Sequence, residues 1–141
     1  MVILMRGIQG SGKSTWVKKN YPKAVVCSAD DYHIVEGEYK FDPRKLGEAH
    51  DKCFLKYLQN LLSRTDADIV VDNTNANIIE LAPYVRLAEV YPIDYKITTM
   101  FCEPHIAWAR NIHNVPLHIV VNCYHEISRP LPKFWHQEMV V

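Results

Sequence analysis

A glycine-rich segment near the N-terminus constrains the fold more than any other part of this sequence. Residues 7–14 read GIQGSGKS and follow a short apolar run, Val2–Arg6 (VILMR). An apolar run of this length is typical of a buried strand. After the glycines, Lys13–Asn20 predicts a helix that ends at Tyr21-Pro22, because a proline disfavours helix in the residue before it. A strand, a glycine-rich turn and a helix in this order predict the first unit of a parallel α/β sheet.

The rest of the chain alternates strands with helices. Apolar and β-branched runs predict further strands over residues 24–27, 69–72 and 95–102. Apolar residues at three- and four-residue steps predict a long amphipathic helix over Leu46–Leu62, and weaker patterns predict helices over 78–90, 103–112 and 117–127. The segment 128–141 has no period, so we expect an irregular tail packed on the body. This alternation predicts a single domain over 1–141, a three-layer α/β/α fold with a parallel sheet of four or five strands.

Composition limits the protein classes that fit. The 141 residues are 48% hydrophobic, enough for the core of one domain. Neither an export signal nor a stretch long enough to span a bilayer is evident, so we expect a cytoplasmic protein without a membrane segment. The 16 basic and 16 acidic residues cancel, which argues against a general nucleic-acid coating protein. The cysteines have no C-x-x-C spacing, and we expect them to be reduced and buried: Cys27, Cys53, Cys102 and Cys123.

The glycine-rich segment also satisfies the P-loop pattern G-x-x-x-x-G-K-S/T. Glycines let the backbone N–H groups surround phosphate oxygens, and the helix that follows presents its positive end to the same anion. Lys13 can reach the β and γ phosphates, while the Ser14 hydroxyl is a hard oxygen ligand for Mg²⁺. The motif therefore predicts a P-loop NTPase fold with ATP and Mg²⁺ as cofactors. The predicted nucleotide-binding residues are Gly7, Gly10, Ser11, Gly12, Lys13, Ser14 and Thr15.

Two adjacent aspartates, Asp30 and Asp31, come directly after the second predicted strand. In open α/β sheets ligands bind beyond the carboxyl ends of the strands, so these carboxylates should lie at the same edge as the P-loop. A carboxylate there can accept the proton of a hydroxyl that attacks the γ phosphate. Adjacent aspartates also commonly cap helices. We predict Asp30 as the base and Asp31 as a cap or a positioning residue.

The third predicted strand ends in Asp72-Asn73-Thr74-Asn75. In P-loop proteins a carboxylate at this position commonly holds the magnesium shell through water. We therefore predict Ser14 and Asp72 as metal-site residues, with the amides and the hydroxyl of the turn orienting an acceptor. The alternative is a plain asparagine-rich turn.

The segment 110–116 reads RNIHNVP and follows the fourth predicted strand and its helix. An arginine on a mobile segment can fold over the phosphates and neutralise the charge that develops during transfer, which makes Arg110 the lid candidate. His113 either touches phosphate or acceptor, or is structural. His50, on the apolar face of the long helix, is expected to be a core or cleft histidine rather than a catalyst.

In order, GIQGSGKST, SADDY, FDPRKLGEAH, VDNTN and RNIHNVP resemble the kinase domain of phage-type polynucleotide 5′-kinases and similar P-loop kinase domains of eukaryotic proteins. The resemblance runs over residues 2–116. It implies that Lys13 and Ser14 bind ATP and Mg²⁺, that Asp30 activates the acceptor hydroxyl, and that Arg110 belongs to a phosphate-binding lid. It also implies an acceptor tunnel beside Asp30.

The chain departs from this family pattern at two places. Polynucleotide kinases of this type tend to have an arginine after the D-D-Y triplet, where it contacts the acceptor's phosphate, and this chain has His33. Histidine lacks the bidentate fork of arginine. A second lid arginine is also missing, and His113 or Asn114 lies in its neighbourhood. No phosphatase or ligase partner domain accompanies the kinase motifs.

These features lead to one main functional hypothesis and two alternatives. The main one is ATP-dependent phosphorylation of a nucleic-acid hydroxyl, the 5′-OH end of DNA or RNA. A second hypothesis moves the phosphate to a hydroxymethyl-modified base in DNA or to a nucleoside, sugar or antibiotic, and His33 and the zero net charge favour it mildly. A third is a nucleotide-binding module without phosphotransfer. The predicted acceptor-binding residues are Asp31, His33, Asn73, Thr74, Asn75 and His113.

Overall fold

Five parallel strands form the central sheet of the computed structural model, which describes residues 1–63 and 65–141. They are β1 (Val2–Arg6), β2 (Val25–Cys27), β5 (Ile69–Asp72), β6 (Tyr95–Met100) and β7 (Gln137–Val140). Their order in the sheet is β2-β5-β1-β6-β7. Between β2 and β5 a two-stranded antiparallel hairpin contains β3 (Ile34–Val35) and β4 (Glu38–Tyr39).

Five α-helices connect the strands. They are α1 (Lys13–Asn20), α2 (Leu46–Leu62), α3 (Ile78–Val90), α4 (Pro104–Arg110) and α5 (Leu117–Ile127). Two short 3-10 helices, Ala29–His33 and Pro43–Lys45, flank the hairpin. None of the helices in the described part of the chain has the length and apolarity needed to cross a bilayer.

The side chains of β1 alternate between the two faces of the sheet, and all of them are buried. Helices therefore cover the sheet on both faces. Val2 and Leu4 pack in the larger core cluster, which also contains Tyr57 of α2 and residues of α3. Ile3 and Met5 point the other way and pack with Val17 of α1. The three-layer α/β/α fold and the parallel sheet are as the sequence predicts.

The predicted bounds hold for β1, α1, α2, β5, α3 and α5 and differ slightly elsewhere. The strand predicted over 95–102 ends at Met100, and the helix predicted over 103–112 is α4, which begins at Pro104. Glu103 caps α4, because its side chain accepts a hydrogen bond from the backbone N–H of Ile106. The expectation of four buried cysteines is wrong at Cys102, which is half-buried; all four are free thiols.

The prediction of an irregular tail over 128–141 is wrong. Gln137–Val140 forms β7, which pairs parallel with β6 at the edge of the sheet. Leu131 and Trp135 are buried in the main core and anchor the segment that leads to it. The strand has only four residues and two of them are exposed, so it lacks the apolar run that identifies a buried strand.

Three of the described glycines have a positive φ, and two of them, Gly10 and Gly37, lie in different surroundings. Gly37 completes the two-residue turn between β3 and β4 with a φ of +80°, and a Cβ there would meet nothing within 4 Å. Gly10 has a φ of +79° in the P-loop, and a Cβ there would lie 2.0 Å from the carbonyl oxygen of Ala107. The P-loop therefore packs directly on the backbone of α4 at a place where only glycine fits.

We predict that Gly10→Ala destabilises the protein more than Gly37→Ala. Both substitutions force an alanine into the left-handed region, which costs about 1–2 kcal/mol. Gly10→Ala also overpacks against Ala107 and should lose about 1–3 kcal/mol more. Urea denaturation of the two variants measures the difference, and equal losses would contradict the close contact between the P-loop and α4.

Candidate active site

The carboxyl ends of β1, β2 and β5 meet at one edge of the sheet, where a cavity of about 750 Å³ opens. The P-loop follows β1, the 3-10 helix with Asp30 follows β2, and Asp72 ends β5. The segment 110–116 after α4 lines the same cavity. The structure thus brings the four predicted motifs to one site.

The side chain of Lys13 lies inside the P-loop. Its ammonium donates hydrogen bonds of 2.9 Å to the carbonyl oxygens of Gly7 and Ile8. Burial lowers the pKa of Lys13, and the charge of Asp72 acts in the opposite direction. The hydroxyl of Ser11 is buried in the same loop and has no hydrogen-bond partner among the described residues. A buried donor without a partner is costly unless a ligand oxygen meets it.

Ser14 and Asp72 form the contact between the P-loop helix and β5. The Ser14 hydroxyl donates a hydrogen bond of 2.7 Å to Oδ2 of Asp72. Burial raises the pKa of Asp72, while this hydrogen bond and the charge of Lys13 act to lower it. The pair places a hydroxyl and a carboxylate, both hard oxygen donors, beside the first turn of α1.

Asp30 lines the same cavity as the P-loop and is contacted by two side chains. The Tyr39 hydroxyl is 3.4 Å from Oδ1, and Nε2 of His113 is 3.6 Å from Oδ2. The rings of Tyr39 and His113 stack with their centres 3.8 Å apart. Burial together with the charge of Asp30 raises the pKa of Tyr39 to about 12, so its hydroxyl keeps the proton that it donates. The hairpin and the segment 110–116 therefore both contact Asp30 and restrict the orientation of its carboxylate.

Arg110 ends α4 and is exposed at the rim of the cavity. Its guanidinium donates to Sγ of Cys102 at 3.0 Å. This contact with a sulfur atom leaves the positive charge without a carboxylate partner among the described residues. Arg110 is thus placed where an anion in the cavity can meet it.

The structure separates the predicted acceptor residues into three groups. His33, Thr74 and His113 line the cavity. Asn73 also lines it, but its Oδ1 accepts from the backbone N–H of Ala29 at 2.9 Å and its Nδ2 donates to Sγ of Cys53, so the side chain holds the backbone before Asp30. The remaining two, Asp31 and Asn75, do not line the cavity.

The acceptor roles predicted for Asp31 and Asn75 therefore have no support in the geometry. Asp31 is exposed on the outer side of its 3-10 helix. Asn75 is buried, and its Nδ2 donates to the carbonyl oxygen of Met5 at 2.7 Å. The φ of Asn75 is +45°, a left-handed value that asparagine tolerates better than most residues, so its role is to shape the turn. Gly7, which was predicted to bind the nucleotide, also lies outside the cavity lining, although its carbonyl oxygen accepts a hydrogen bond from Lys13.

Sequence reasoning missed several lining residues. Tyr39 and Phe41 come from the hairpin and the loop after it, and Leu46 and His50 come from the first turns of α2. His50 is exposed, so it is a cleft histidine rather than a core one. The motif FDPRKLGEAH, which begins at Phe41 and ends at His50, is the sequence signal for this wall.

The geometry agrees with the comparisons with known proteins. The model of a family described as an AAA domain, AAA_33, matches residues 2–114. The chain belongs to the AAA_33 family. This AAA_33 domain is 35% identical over 126 residues to NEDD4-binding protein 2 of Homo sapiens, a match that covers 82% of this chain and 7% of that protein. The chain thus spans a small part of the length of this curated relative.

Solved structures extend the comparison to the fold. A chain of the Pnkp1/Rnl/Hen1 RNA repair complex matches with a TM-score of 0.72 and 17% identity, over 90% of this chain and 43% of that one. A gluconokinase from Sinorhizobium meliloti 1021 matches with a TM-score of 0.59 and 16% identity, over 99% of this chain and 81% of that one. The AAA_33 domain has the fold of P-loop kinases, as the order of its motifs predicts.

We predict that Asp72→Asn gains stability relative to the wild type as the pH rises from 3 to 7. Since burial raises the pKa of Asp72 in the folded state, the folded protein holds this proton more tightly than the unfolded chain does. The stability of the wild type therefore falls as the pH rises from about 3.9, the unfolded value, through the folded pKa. The amide of the variant does not titrate. Urea denaturation of both proteins across this pH range measures the difference, and a constant difference would contradict a raised pKa of Asp72.

Proposed function

We propose that this chain transfers the γ phosphate of ATP to a hydroxyl of nucleic acid, the 5′-OH end of DNA or RNA. One observation carries the proposal: Asp30, the P-loop and Arg110 all line the same cavity. Phosphoryl transfer needs a base, a loop that binds the phosphates and a cation that can approach them, all around one cavity.

The residues of the P-loop fit a nucleotide with its metal ion. Gly10, Gly12 and Ser14 line the cavity, and Lys13 can exchange its two carbonyl partners for phosphate oxygens. Ser14 and Asp72 would hold Mg²⁺, since their hydroxyl and carboxylate are hard oxygen donors that lie side by side. When bound, the ion neutralises charge on the phosphates.

Asp30 supplies the acid–base chemistry in this mechanism. The acceptor oxygen attacks the γ phosphorus, its new O–P bond forms as the bond to the leaving ADP oxygen breaks, and its proton passes to the Asp30 carboxylate. The contacts with Tyr39 and His113 hold this carboxylate in one orientation, which is what a general base on an exposed loop requires. Arg110 leaves Cys102 and meets the charge that develops on the transferred group.

The nucleic-acid acceptor is supported by two likenesses. The ordered motifs resemble those of polynucleotide 5′-kinases, and the fold matches a chain of an RNA repair complex. A small-molecule acceptor is the second candidate, because the fold also matches a gluconokinase and because His33 stands where polynucleotide kinases tend to have arginine. A hydroxymethyl-modified base in DNA would use the same machinery.

The acceptor is tested by incubating the protein with ATP labelled on the γ phosphate and a panel of hydroxyl compounds. The panel contains 5′-OH oligonucleotides of DNA and RNA, duplexes with hydroxymethyl bases, nucleosides and sugars. Label on the 5′-OH oligonucleotides is the expected result. Label on nucleosides or sugars alone would replace the proposal with the second candidate, and ATP binding without transfer to any compound would indicate a nucleotide-binding module.

We predict that Asp30→Asn lowers kcat by about 10²- to 10⁴-fold and leaves ATP affinity unchanged, because the amide cannot accept the acceptor proton. Steady-state kinetics and equilibrium binding of a fluorescent ATP analogue measure the two quantities. Asp51→Asn is the matched control, since Asp51 is an exposed aspartate of α2 outside the cavity lining. Near-normal kcat in the Asp30 variant would remove Asp30 from its role.

A further inference from the structure

Four aromatic rings form a continuous row in the wall of the cavity, next to Asp30. Phe41 and His33 lie with their ring centres 5.0 Å apart, His33 and Tyr39 6.0 Å apart, and Tyr39 and His113 3.8 Å apart. We call this row, Phe41–His33–Tyr39–His113, the aromatic strip. All four residues line the cavity, and the strip reaches Asp30 at its Tyr39–His113 end.

In two members of the strip, a group lacks a favourable contact. The Phe41 side chain is 52% exposed, although exposure of so large an apolar ring is unfavourable. His33 is only 3% exposed, and its Nδ1 is buried without a hydrogen-bond partner among the described residues. A flat ligand that covers Phe41 would remove this exposed ring from water.

Fixed positive charge is absent from the strip itself. Among the described lining residues only Lys13 and Arg110 carry it, and neither belongs to the strip. Apolar side chains, including Leu46 and Ile119, also line the cavity. The strip therefore suits a flat, largely uncharged group rather than a phosphate.

We propose that the aromatic strip is a stacking platform for the terminal base of a single-stranded 5′-OH end. The inference rests on the proposed function and names the form of its acceptor. Aromatic side chains bind single-stranded nucleic acid by stacking on its bases. A cavity of about 750 Å³ has the size of a small-ligand site, so it has room for one nucleoside beside the phosphates. A blunt duplex would first have to unpair its terminal base.

The platform is tested with three 5′-OH oligonucleotides: a single strand, the same strand with an abasic 5′-terminal residue, and a blunt duplex. Stacking is worth about 1–3 kcal/mol per base, so kcat/KM should be about 5- to 150-fold higher for the intact single strand than for the abasic strand. The blunt duplex should be slower than the intact single strand.

Substitution of Phe41 separates stacking from other effects. Phe41→Leu should lower kcat/KM for the intact strand about fivefold or more and leave the abasic strand unchanged, because only the intact strand presents a base to the ring. Phe134→Leu is the matched control, since Phe134 is 79% exposed and does not line the cavity. It should change neither rate. Equal rates on intact and abasic strands, or an equal loss on both in the Phe41 variant, would overturn the platform.

Equilibrium binding distinguishes failure of this inference from failure of the proposed function. Fluorescence anisotropy of the same oligonucleotides, measured without ATP, should show tighter binding of the intact strand, and Phe41→Leu should remove the difference. Base-dependent binding without phosphate transfer would overturn the proposed function alone. If phosphate is transferred but the intact and the abasic strands bind with equal affinity, the platform alone would be overturned.

Discussion

The hydrogen bond from Ser14 to Asp72 is the contact on which the arrangement of the site depends. It joins the first turn of α1 to the end of β5, and β5 lies between β1 and β2 in the sheet. The residue after Asp72 continues the connection, because Asn73 accepts from the backbone N–H of Ala29 and thereby fixes the segment that carries Asp30. The phosphate loop and the candidate base are thus positioned by neighbouring residues of one strand end.

This arrangement has a cost in stability. Burial lowers the pKa of Lys13 and raises that of Asp72, so in both residues the folded state disfavours the charged form. Ser11 contributes a buried hydroxyl without a partner among the described residues. Groups that are under-satisfied in the protein alone and clustered at one strand edge are typical of a binding site, where a ligand completes their contacts.

Sequence reasoning predicted the parts of the fold that rest on strong local patterns. The buried strands are short apolar runs, α2 has a clear amphipathic period, and the P-loop has a mechanical reason for each of its residues. From the same patterns one can predict that Lys13, Ser14, Asp30 and Asp72 lie at one edge of the sheet, because the carboxyl ends of neighbouring parallel strands converge there. Here local sequence and global topology agree.

The features that were missed depend on contacts distant in sequence. β7 is a short edge strand that becomes a strand by pairing with β6, and no pattern within QEMV indicates this. The asparagines of the 72–75 turn are alike in sequence, yet Asn73 lines the cavity while Asn75 turns inward to the carbonyl of Met5. The stacking of Tyr39 on His113 joins two segments that are more than seventy positions apart.

The packing of Gly10 on Ala107 limits how the rim of the cavity can move. Since the P-loop touches the backbone of α4, a tilt of that helix would displace the loop that cradles the phosphates. Arg110 is the last residue of α4, and Asn111 after it has an extended backbone. Asn111 therefore marks the limit of this constraint: the residues before it are held in register with the phosphate loop, and the residues beyond it leave the helix in another direction.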